Sequence, residues 1–133
     1  MALNNPYQAY QQNSVATASP GELTLMLYNG CLKFIKQASK AIEEKNIEEK
    51  NVNLQKAQKI ITELMVTLNM ELEVSESMIV MYDYLNYRLL EANLKNDPSI
   101  LEEVAGHVAE FRDTWKQVIQ TTRQQQHGQG GQA

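Results

Sequence analysis

The sequence predicts an all-α fold: an antiparallel up-down-up-down four-helix bundle with an N-terminal arm at 1–18 and a disordered C-terminal tail at 123–133. Three observations carry this. Four stretches, about 19–44, 46–70, 76–95 and 97–122, repeat apolar residues at helical spacing. Helix-capping residues precede them, and the short connections between them favour antiparallel neighbours. No strand-like alternation, glycine-rich phosphate loop or repeat of solenoid period stands out.

Residues 1–18 contain no Lys, Arg, Asp or Glu, and their bulky apolar groups are Tyr7, Tyr10 and Val15. Such a composition describes a mobile arm. Tyr7 and Tyr10 nevertheless stand at a spacing that puts two rings on one side of a helical turn, so an arm docking its rings on the bundle is an equal alternative.

The first helix has the densest start signal. Ser19 is its cap, Pro20 occupies the first position, and Glu22 completes a capping box. Its apolar residues, Leu23, Leu25, Met26, Leu27, Tyr28, Cys31, Leu32, Phe34 and Ile35, cover roughly 200° of arc, wider than one core-facing stripe. Such a helix has two neighbours on opposite flanks, or one neighbour and a partner.

Asn46, with Glu49 three positions on, begins the second helix, which runs to about Asn69 or Leu72. Its core stripe is Ile47, Leu54, Ala57, Ile60, Ile61, Leu64, Met65 and Leu68, with Val52, Val66 and Met70 nearly opposite. The third helix starts near Ser75 or Ser77 and ends about Leu94. It carries two stripes: Met78, Met81, Tyr82, Leu85, Leu89 and Ala92, then on the far side Ile79, Val80, Tyr87, Leu90 and Leu94. Asp97 caps the fourth helix with Pro98 at its first position, and Leu101, Val104, Val108, Phe111, Trp115 and Val118 form a single stripe. After about Thr122 the chain turns polar and glycine-rich.

Composition narrows the function classes. Twelve basic against 16 acidic residues leave a net charge of -4, without the basic surplus that phosphate-backbone binding needs, so nucleic acid is not the expected partner. The N-terminus lacks a signal-peptide pattern and no apolar run approaches a membrane span, which points to a cytoplasmic protein without stable membrane insertion. The single cysteine, Cys31, reads as a small buried hydrophobe in a reducing compartment.

No constellation does chemistry. A dimetal bundle needs inward glutamates and paired Glu-x-x-His motifs, which are absent; Glu103 and His107 stand four apart and read as a surface hydrogen bond. No enzyme, metal or cofactor is expected. What stays unexplained is apolar surface, coverable by the arm, a second copy of the chain, or a foreign amphipathic helix.

The blocks NPYQAYQQNSVATASPGELTLMLYNGCLKF, MYDYLNYRLLEANLKNDPSILEEV and FRDTWKQV closely resemble the FliS family of flagellin-specific export chaperones. The resemblance runs from Asn5 to about Val118. It implies a helical bundle that binds the C-terminal segment of flagellin in the cytoplasm, prevents premature polymerisation and aids delivery to the flagellar type III export gate, with other flagellar regulators as further partners. It places the family's N-terminal aromatic or aliphatic pair on Tyr7 and Tyr10 and implicates both in flagellin recognition. Where the family's third helix often has two successive arginines, this chain has Tyr87 and Arg88. Resemblance and unpaired stripes together give an expected flagellin-binding set of Tyr7, Tyr10, Leu23, Met26, Leu27, Val66, Met70, Ile79, Tyr87, Leu90 and Leu94. The alternative reading is a self-associating bundle with a structural or regulatory role in flagellar assembly.

Overall fold

The computed structural model describes the backbone of residues 20–132 and the side chains of 21–122. The expected arm, with Tyr7, Tyr10 and the Ser19 cap, lies outside the described residues. Four helices follow in order: α1 (Pro20–Glu43), α2 (Ile47–Val66), α3 (Glu73–Lys95) and α4 (Pro98–Gln132). There is no strand among the described residues. Each helix packs on its neighbours in the chain and α4 returns to α1, closing an up-and-down bundle in which α1 and α3 are diagonal.

The width of the apolar arc on α1 is accounted for by its two neighbours. Tyr28, Cys31, Phe34, Ile35, Ala38 and Ala41 are buried, and α1 packs on both α2 and α4. Leu54, Ala57, Ile60, Ile61 and Leu64 of α2, Tyr82, Leu85, Leu89 and Ala92 of α3, and Leu101, Val104 and Val108 of α4 complete the core. Its polar centre is the Tyr28–Tyr82 hydroxyl pair, 2.6 Å apart, with Phe111 stacked on one ring at 6.1 Å and edge-on to the other at 5.7 Å. Burial pushes both phenols up, and it raises the Cys31 thiol to about 12. Cys31 is therefore an unreactive thiol lying 3.9 Å from the Ala57 carbonyl.

Helix ends explain the turns. Lys45, left-handed at φ 58, ends α1, with Asn46 N–H donating to the Ala41 carbonyl and Lys45 N–H to Ile42, the Schellman pattern. The Asn46 side chain then accepts from Glu49 N–H at 3.1 Å and starts α2. At the same end of the bundle Asp97 Oδ1 accepts from both the N–H and the hydroxyl of Ser99, which holds the Asp97 carboxyl below its usual range.

Several boundaries and burials differ from the sequence reading. Helix α2 stops at Val66 and α3 begins at Glu73, because the turn between them organises itself: Asn69 Oδ1 accepts from Glu71 N–H, and the Ser75 hydroxyl donates to the Asn69 carbonyl at 2.6 Å. Ser75 is thus a buried tie inside α3 rather than its cap. Ile47 is exposed, because it is the first residue of α2 and lies beyond the last layer of the core. Val118 is exposed on a helix that outruns its neighbours, continuing as backbone to Gln132 past the Thr122 end read from the sequence. Trp115 packs only partly buried against the core, and its indole N–H donates to the Gly21 carbonyl at 2.8 Å, tying α4 to the first turn of α1.

Candidate binding surface

The second stripe of α3 faces away from the bundle. Tyr87, Leu90 and Leu94 are 58%, 46% and 75% exposed, Val80 is also exposed and Ile79 is half-buried. From Ile79 to Leu94 this ridge is roughly 22 Å long, about four turns of a partner helix. Its flanks are closed by polar contacts to the neighbouring helices. On the α2 side the Asn86 side-chain amide donates to Thr62 Oγ1 at 3.2 Å, and the Asn86 backbone carbonyl accepts from the Gln58 side chain at 3.5 Å. Further along, the buried Lys50 donates to the Asn93 carbonyl and to Asn96 Oδ1, capping the C-terminal end of α3.

On the α4 side a network encloses Glu103. Arg88 reaches Glu103 at 2.7 Å and Glu91 at 2.9 Å. The Tyr84 hydroxyl donates to Glu103 at 2.5 Å, and His107 lies 3.7 Å from the same carboxylate. The Tyr84 hydroxyl and the Arg88 guanidinium hold the Glu103 carboxyl below its usual range, and Arg88 and Lys95 do the same for Glu91. The sequence reading saw only Glu103 with His107; Tyr84 and Arg88, one turn apart on α3, were the signal it left unused. That arrangement resolves the electrostatics around Tyr87 and Arg88: Tyr87 points outward on the ridge, and Arg88 turns to α4.

The expected residues do not form one site. Ile79, Tyr87, Leu90 and Leu94 share the α3 ridge with Val80. The antiparallel register of Gln58, Thr62 and Lys50 against Asn86 and Asn93 puts Val66, one turn past Thr62, near Ile79 at the end of that ridge; Val66 is 73% exposed, and Met70 lies exposed in the turn beyond. Leu72 and Val74, which the sequence reading did not single out, are exposed in the same turn region. Leu23 and Met26 are half-buried at the start of α1, diagonal to α3, and do not join the ridge. Leu27, 7% exposed, belongs to the core and has almost no surface to offer a partner. Tyr7 and Tyr10 lie outside the described residues.

One polar residue interrupts the ridge. Asp83 is exposed, with Ile79, Val80 and Tyr87 among its neighbours one turn away on either side, and among the described residues it makes no ion pair. No group of three His, Cys, Asp or Glu among the described residues could hold a metal ion, and no helix of them is long and apolar enough to cross a membrane.

Among the described residues, the four-helix bundle leaves the apolar ridge of α3 exposed. The family model described as flagellar protein FliS matches residues 3–122, and the chain belongs to the FliS family. It is 63% identical over 131 residues to the flagellar secretion chaperone FliS of Bacillus subtilis (strain 168), covering 98% of each chain. It is 38% identical to the Escherichia coli (strain K12) flagellar secretion chaperone FliS, over 84% of this chain and 88% of the other. The fold is also similar to the crystal structure of a flagellar chaperone from bacteria, with a TM-score of 0.73 at 17% identity, covering 86% of this chain and 95% of that one. The family is one of chaperones rather than enzymes.

Proposed function

We propose that the chain is a cytoplasmic chaperone that holds the C-terminal segment of flagellin as a helix along the outward face of α3, prevents its premature polymerisation and assists its delivery to the flagellar type III export gate. The observation that carries this is the ridge of Ile79, Val80, Tyr87, Leu90 and Leu94, left uncovered by the bundle's own helices. A disordered segment that orders on binding sacrifices chain entropy, and a long apolar ridge supplies the compensating burial. Val66 and Met70 extend the contact at the α2–α3 turn, and Tyr7 and Tyr10 join it from the arm.

A second copy of the chain could bury the same ridge, which is the self-associating alternative. Sedimentation separates the two. The chaperone reading expects a concentration-independent monomer that forms a one-to-one complex with a synthetic peptide of flagellin's C-terminal segment. A tight homodimer indifferent to that peptide would overturn it.

A further inference from the structure

The reading of α3 as a docking face raises a question that its apolar residues do not answer: what becomes of Asp83. On a helix the surface neighbours of position 83 are 79, 80, 86 and 87, here Ile79, Val80, Asn86 and Tyr87, three of them apolar. A partner helix that covers this ridge removes water from the carboxylate at its centre. A carboxylate left dry and unpaired would oppose binding strongly.

The described cations of α3 are already paired. Arg88 is engaged by Glu91 and Glu103 on the α4 side, and Lys95 by Glu91. Along α3 itself, the charged residues before the ridge, Glu73 and Glu76, are acidic and exposed. The compensating charge has to arrive with the ligand.

We propose that the segment docking on α3 is an amphipathic helix with a lysine or arginine set inside its apolar face, and that this cation pairs with Asp83. The proposal rests on the chaperone reading above and adds the recognition rule for it. Apolar residues on the ridge supply area, and the Asp83 pair fixes register, because sliding the partner by one turn strands both charges.

The test is calorimetric titration of the full chain with the flagellin C-terminal peptide and with the same peptide carrying Gln in place of every Lys and Arg. Asp83→Ala, Asp83→Lys and Leu90→Glu are compared with the parent chain, each checked for an unchanged circular dichroism melt. Asp83→Ala should weaken the unmodified peptide by at least about thirtyfold, and Asp83→Lys by more. The Gln peptide should bind the parent chain weakly and bind Asp83→Ala no worse. If Asp83→Ala changes affinity by less than about threefold, or improves it, while Leu90→Glu abolishes binding, the ridge stands and the pairing is wrong. If Leu90→Glu also leaves binding intact, the ridge reading falls with it.

Discussion

Removing one hydroxyl of the Tyr28–Tyr82 pair strands the other in the core. Each of Tyr28→Phe and Tyr82→Phe should cost about 1–3 kcal/mol, and the double variant less than the sum, because two phenyl rings leave no unpaired polar group. Urea unfolding of the four proteins measures the coupling; strict additivity would mean the two hydroxyls do not share a bond. A sequence reading finds both tyrosines in core stripes and cannot find the pair, since 54 positions separate them and only the packing of α4 against both α1 and α3 brings the rings together around Phe111. Leu27 teaches the converse. An overwide stripe suggested it for a partner, and the fold takes it into the core.

At the scale of elements, helix ends and inter-helix ties set the geometry. Lys50 is buried with its ammonium on the Asn93 carbonyl and the Asn96 side chain. Lys50→Met keeps the aliphatic stem and removes the cap. It should cost about 1.5–3 kcal/mol, and hydrogen exchange should rise in the last turn of α3 before anywhere else. Between α3 and α4, Glu103 and Glu91 have carboxyls held below their unfolded values by Tyr84, Arg88 and Lys95. Their contribution is therefore present above the unfolded value of about 4.3 and is lost as pH falls through the lower folded value. The melting temperature of Glu103→Gln should lie below that of the parent at pH 7, and the gap should close as the medium is acidified below about pH 4. A gap that persists in acid would show that the Tyr84 and Arg88 contacts do not depend on the carboxylate charge. The caps at Asn46 and Asp97 were legible because a capping side chain and its helix are adjacent in sequence. The start of α3 was not, because Ser75 looks like a cap and instead reaches back six residues to Asn69.

For the whole molecule, the division of α3 into a core face and an outward face was readable from helical spacing alone, and the bundle follows it: Leu85 is fully buried and Leu90 is 46% exposed. What spacing could not tell was which surplus apolar residues the fold would use for itself. Leu23 and Met26 sit diagonal to the ridge, and Val66 approaches it only through the antiparallel register of α2. The central claim is that one face of α3 folds the chain and the other binds flagellin. Circular dichroism melting and calorimetric titration of two substitutions five residues apart test it most directly. Leu90→Glu puts a solvated, helix-compatible side chain on the ridge; it should fold with a near-parental melt and lose binding to the flagellin C-terminal peptide. Leu85→Glu forces a charge into the core and should not fold. A Leu90→Glu protein that folds and binds the peptide with parental affinity would contradict the account.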